Sequence, residues 1–165
     1  MGMILKDKIE SKRVGKLVRA KDKLCYHNVS HVLMHVPEYL DADYVEGMVV
    51  LGGLPIEHGW VEKDGVIIDP TQPDLDGKYF PGLRFRGVSG IEEALRTPKP
   101  HRSWQDFPIF YRFGWGGIDS PEFRAALVAA YRYAGLEGLA KQYEEYKPLY
   151  DTKVLANGET AVVLK

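Results

Sequence analysis

The sequence has one cysteine in 165 residues, no long apolar run and no surplus of either charge. A single cysteine excludes an internal disulfide, so the chain gives no sign of an oxidising compartment. Its start, MGMILKDKIESKR, has no apolar stretch after the charges and does not read as a secretory signal. A reducing, cytosolic setting is expected. No apolar run approaches the roughly 20 residues of a membrane-spanning helix, so no membrane partner is expected. With 22 Lys and Arg against 23 Asp and Glu, no whole-molecule field favours nucleic acid or an anionic bilayer. No phosphate-cradling glycine loop or dinucleotide fingerprint occurs, and no cysteine pair or His-Glu-x-x-His pattern offers metal ligands. Neither a cofactor nor a metal is expected.

The length suits one domain, since a chain of about 150 residues buries roughly 70% of its unfolded surface. Residues 1–165 are therefore read as a single unit: a basic leader over 1–20, a core over 21–72, then loops, helices and a closing hairpin over 73–165. The basic N-terminal segment holds Lys6, Lys8, Lys12, Arg13, Lys16, Arg19, Lys21 and Lys23, offset only by Asp7, Glu10 and Asp22. It reads either as a solvated face or as a surface for an acidic partner.

After it, DKLCYHNVSHVLMHVPEYL has Cys25, Val29, Val32, Leu33 and Val36 at helical spacing, with Pro37 as the stop. Cys25 falls in the first turn. DYVEGMVVLG and PIEHGWVE are strand-like, and VIID follows Asp64-Gly65, a dipeptide that tolerates the positive φ of a tight hairpin. Over 70–118, six prolines interrupt every period, so long, partly ordered loops are expected, with a short helix at SGIEEALRT capped by Ser89. SPEFRAALVAAYRYAG reads as a helix with Ser120 as N-cap and Pro121 in its first turn. LEGLAKQYEEYK continues as another helix, and Asn157-Gly158 between apolar runs reads as a hairpin.

A cysteine nucleophile acts as its thiolate, and an ordinary thiol with pKa near 8.5 supplies only a few per cent of it at neutral pH. A helix N-terminus favours negative charge, and a neighbouring imidazole can take the proton while a carboxylate orients the ring. His58 and Asp69 can supply those two groups. If Asp64 and Gly65 form the turn, Lys63 faces Val66, Glu62 faces Ile67 and Trp60 faces Asp69. His58 then shares a face with Asp69 one diagonal step away. The competing reading of Cys25 is a small, inert core residue.

An N-terminal helical Cys followed by YVEGMVV and EHGWVEKDGVIIDPT resembles the core of the transglutaminase-like proteins, within the broader papain-like cysteine superfamily; the spacing is also similar to that of arylamine N-acetyltransferases. The resemblance covers roughly residues 20–72. It implies an α+β fold, with an N-terminal Cys-bearing helix packed on an antiparallel β-sheet and further helices C-terminal to it. It also implies Cys25 as nucleophile, His58 as base and Asp69 as the orienting acid. Many members have Trp after the Cys where this chain has Tyr26, and no Gln precedes Cys25. Tyr26 and Asn28 are then the side-chain candidates for the oxyanion hole, beside the Cys25 N–H.

Substrate-cleft candidates are Trp60, over the His–Asp pair, and Trp104 and Trp115 in the aromatic run HRSWQDFPIFYRFGWGG. Arg84 and Arg86 join them as groups able to meet a carboxylate or phosphate. His27, His31 and His35 line one helical face and read as a solvated stripe. The expected activity is that of a thiol hydrolase or acyltransferase acting on an amide or acyl carbonyl, of protease, deamidase or transglutaminase type. Its partner would be a peptide, protein or other acyl- or amide-bearing substrate. The alternative is a catalytically silent scaffold acting as a protein- or nucleic-acid-binding module.

Overall fold

The computed structural model describes residues 5–95, 108–113, 115–148, 150–154 and 160–164. The fold is α+β. Its main sheet has five strands in the order β1-β4-β3-β2-β5. β2 (Asp43–Leu51) pairs antiparallel with both β3 (Leu54–Lys63) and β5 (Gly77–Arg86), and β3 pairs antiparallel with β4 (Val66–Ile68). β1 (Leu5–Lys6) joins β4 in parallel, so the sheet is mixed, where an antiparallel sheet was expected.

The basic N-terminal segment is part of this architecture. Asp7 caps α1 (Lys8–Leu17), its side chain accepting from Glu10 N at 2.8 Å. Ser11 and Val14 are buried, and Gly15 lies so close to the Pro70 carbonyl that a Cβ would sit 2.8 Å from its oxygen.

α2 (Cys25–His35) begins where expected and ends at Val36, with Pro37 opening a 3-10 turn, Pro37–Tyr39. The β3–β4 turn has the predicted residues, Asp64 at φ 51° and Gly65 at φ 77°. It sets the register Lys63 to Val66, Glu62 to Ile67 and Val61 to Ile68.

Within residues 70–118 the loop reading fails at β5, whereas the short helix expected at SGIEEALRT is present as α3 (Gly87–Leu95), starting two residues before Ser89. Prolines misled because β5 is an edge strand. Pro81 faces Gly47 where the β2–β5 register shifts between Glu46 and Gly47, a place that needs no proline N–H. α4 (Pro121–Tyr133) has Ser120 as its cap, accepting from Phe123 N, and α5 (Glu137–Glu144) follows. β6 (Tyr150–Val154) and β7 (Thr160–Leu164) form a separate antiparallel pair; the Asn157-Gly158 turn lies outside the described residues.

The central strand β2 is buried on both faces. One face carries Tyr44 and, from β3, Val61, packed under Val29, Val32 and Leu33 of α2. Farther along it, Met48 meets Phe110, Phe123 and Leu127, the last two from α4. Val45, Trp60 and Ile67 cluster on the opposite face with Tyr79.

Candidate active site

His58 and Asp69 meet as the hairpin register requires. His58 Nε2 is 2.8 Å from Asp69 Oδ2, and both side chains are buried. β4 ends at Ile68, opposite Val61, so His58 lies beyond the paired part of that edge of β3, and Asp69 is the residue that follows β4. Within the sheet His58 is opposite Gly47 and stacks toward Trp60, ring centroids 6.3 Å apart. It therefore lies on the face away from α2. Cys25, the first residue of α2, meets the ring at the open edge of β3.

With Nε2 committed to Asp69, Nδ1 is the nitrogen left for the thiol. Burial pulls the His58 pKa down, but the Asp69 hydrogen bond and the Cys25 contact outweigh it and leave the ring well above its ordinary value. Burial likewise opposes the Asp69 charge, and the contact with His58 overcomes it, holding the carboxyl well below the usual range.

Asp69 is fully satisfied. Its Oδ1 accepts from Thr71 N and Gln72 N, both at 3.0 Å, and its Oδ2 accepts from the Tyr79 hydroxyl at 2.7 Å as well as facing His58. Ser11 Oγ accepts from Asp69 N at 2.9 Å. Lys6 Nζ stands 3.9 Å from Oδ2 and donates to the carbonyls of Gln72 and Leu75. Tyr79, Ser11 and Lys6 were not recognised from sequence. Tyr79 belongs to a strand whose prolines masked it, and the other two come from a segment whose pattern carries charge and nothing catalytic.

Asp7 caps α1 and Ser120 caps α4, whereas Leu24 before α2, like Leu136 before α5, offers no side-chain acceptor. The first N–H groups of α2, including that of Cys25, have no intrahelical partner. Cys25 itself is only partly buried. Gly59 explains the small residue after the histidine: a Cβ there would lie 2.9 Å from Cδ1 of the Tyr26 ring.

Several expected site residues have other work. Asn28 is a clamp: its Oδ1 accepts from Lys21 N at 3.0 Å, and its Nδ2 donates to Lys21 O at 2.8 Å and Thr71 Oγ1 at 2.9 Å. Both amide hydrogens are used, so no donor remains for an oxyanion. Tyr26 does hold a spare donor, because its enclosed hydroxyl has no hydrogen-bond partner, and burial beside Cys25 and Glu46 raises its pKa well above the ordinary value.

Trp60 is wholly buried and donates Nε1–H to Glu62 Oε1 at 2.9 Å, so it supports the back of His58 and cannot wall a cleft. Arg84 is paired with Glu62, and Arg86 reaches Asp43 at 3.4 Å. Arg84 edges a groove with Leu83, Phe113 and Ser120, but none of Cys25, His58 or Asp69 lines it. Trp104 lies outside the described residues. Trp115 opens the short 3-10 turn Trp115–Gly117, and its side chain is outside the description. His27, His31 and His35 stack along α2, with ring centroids 4.1 Å apart for the first pair and 5.2 Å for the second. No group of three metal-ligating side chains occurs among the described residues.

No protein-family model matches the chain, and no curated protein or solved structure matches it. No described helix is long and apolar enough to cross a membrane.

Proposed function

We propose that the protein is a cysteine-dependent hydrolase or acyltransferase of transglutaminase-like or papain-like type, acting on an amide or acyl carbonyl. One observation carries the reading: a buried His58–Asp69 pair at 2.8 Å, with the second ring nitrogen turned to a partly exposed thiol at an uncapped helix start. A core that needed only packing at these positions would have no use for a buried imidazole and carboxylate, each of which costs desolvation.

In the proposed cycle the Cys25 thiolate attacks the carbonyl carbon, forming the S–C bond and moving the carbonyl electron pair onto oxygen. The Cys25 N–H at the head of α2 stabilises that oxyanion. His58 gives its Nδ1 proton to the leaving amine, and the C–N bond breaks. Water or an incoming amine then attacks the acyl-enzyme while His58 takes its proton, and the thiolate departs. Asp69 holds the ring through Nε2 throughout.

The test is the rate of Cys25 alkylation by iodoacetamide against pH, in the wild type and in His58→Ala. The expected midpoint lies well below ~8.5 in the wild type and returns toward that value in the variant. An ordinary midpoint that ignores the substitution would make Cys25 a core residue and leave a binding scaffold as the account of the fold.

A further inference from the structure

The basic residues of the N-terminal segment fall into two groups. Lys6, Lys8, Lys12 and Arg13 each have a carboxylate partner, respectively Asp69 at 3.9 Å, Asp76 at 2.6 Å, Asp74 at 2.8 Å and Glu10 at 2.6 Å. Lys16, Arg19, Lys21 and Lys23 are exposed and have no such partner among the described residues. Asp22 is the sole acid among residues 16–24.

The unpaired group stands at the end of α1 and in the link from α1 to α2, which delivers Cys25. This link is held in place. Ala20 N donates to Gly15 O at 2.8 Å, and Asn28 binds both the N–H and the carbonyl of Lys21. Through Thr71 the same Asn28 is tied to the turn that carries Asp69. Lys23 is two residues from Cys25, a backbone separation of roughly 7 Å, inside the ~10 Å screening length of 0.1 M salt.

We infer that this cationic link forms one lip of the thiol site and selects substrates whose reacting carbonyl is flanked by acidic side chains. The inference rests on the thiol reading above. Polypeptide is favoured over nucleic acid because the proposed reaction consumes an amide or acyl carbonyl, whereas a nucleic acid backbone offers phosphodiesters. Glu57, one residue before His58, could oppose an anionic substrate. Its carboxylate is already engaged by the Tyr111 hydroxyl, while burial raises its pKa.

The experiment compares two peptide chloromethyl ketones, identical except for Asp/Glu or Lys/Arg at the residues that precede the reactive group, as modifiers of Cys25 in the full chain. Iodoacetamide is the uncharged reference for each protein. The acid-flanked probe is expected to react about tenfold faster at low salt. That preference should vanish toward 1 M salt, where screening shrinks to about 3 Å, and should reverse in Lys21→Glu/Lys23→Glu. Lys16→Gln/Lys21→Gln, a milder change, should reduce the preference without reversing it. Equal rates for the two probes, or a preference indifferent to salt, would overturn the inference. Protection of Cys25 by a single-stranded oligonucleotide, with no discrimination between the peptides, would assign the link to nucleic acid and overturn it as well. An ordinary iodoacetamide midpoint would instead remove the thiol site itself, so the two failures are distinguishable.

Discussion

Two carboxylates are completely buried in this sheet, and they are pushed in opposite directions. Glu46, on the α2 side of β2, accepts from the Tyr44 hydroxyl at 2.7 Å, Ile109 N at 2.7 Å and Phe110 N at 2.8 Å. Burial still dominates, and its pKa rises to about 7. Asp69 has the same kind of help from two backbone N–H groups and one tyrosine, yet its carboxyl is held low. The difference is His58, joined at longer range by Lys6. Neutral donors reduce the desolvation penalty of a buried carboxylate; a cation in contact reverses it. Glu46 pins the 3-10 turn Ile109–Arg112 onto the sheet, whereas Asp69 is arranged to keep an ion.

Isosteric amides test this contrast most severely. Asp69→Asn strips one partner from a buried ion pair and should cost about 3–5 kcal/mol at pH 7, read from denaturant midpoints at constant slope. Glu46→Gln replaces a carboxyl that is already partly neutral at that pH and should cost about 1 kcal/mol, the worth of one impaired hydrogen bond. Equal costs would mean that the buried cation does not separate the two sites.

The pH dependence sharpens the same point. Glu46 has a raised folded pKa, so its contribution is fully present below its ordinary value of 4.5 and is lost as pH rises through about 7. At 1.36 kcal/mol per pKa unit the loss is on the order of 3 kcal/mol. The other site titrates mainly outside that window, overlapping it only above pH 6.5. Asp69 is depressed, so its contribution holds above the ordinary 3.8 and fails as pH falls toward about 2. His58 is raised, so its contribution begins to decline above 6.5 and is lost through about 9. Wild-type stability should therefore fall between pH 4.5 and 7, and Glu46→Gln should flatten that slope. A wild-type slope unchanged in the variant would assign the proton uptake elsewhere, Glu57 being the next carboxyl raised by burial.

What the sequence revealed follows the range of the interactions. The His58–Asp69 encounter was legible because a two-residue turn fixes register, and register fixes which side chains share a face. The end of α2 before Pro37 and the Ser120 cap were legible because caps and prolines act within one turn. Asn28 was misjudged because its partners, Lys21 and Thr71, are brought together only by the folded link and the Asp69 turn. Trp60 was placed over the right pair but on a face already closed by Val45, Ile67 and Tyr79. Lys6 and Ser11 escaped notice because their bonds to the Asp69 region span 58 to 69 residues of chain.

Tyr79 provides the finest cut through the comparison, since it gives Asp69 a neutral donor of the kind that Tyr44 gives Glu46. If the charge pair with His58 sets the behaviour of Asp69, removing that donor should matter little beyond its own bond. Tyr79→Phe keeps the ring against Trp60, whose centroid is 5.1 Å away, and deletes only the hydroxyl. The expected loss is about 1.5 kcal/mol, the low end for a hydrogen bond to a charged group, because Tyr79 is only partly buried and water can replace the donor. The midpoint of Cys25 alkylation should move far less than in Asp69→Asn, since His58 Nε2 keeps its partner. A midpoint shift as large as that of Asp69→Asn would show that the tyrosine, by fixing the carboxylate in the plane of the ring, governs the thiol as much as the charge does.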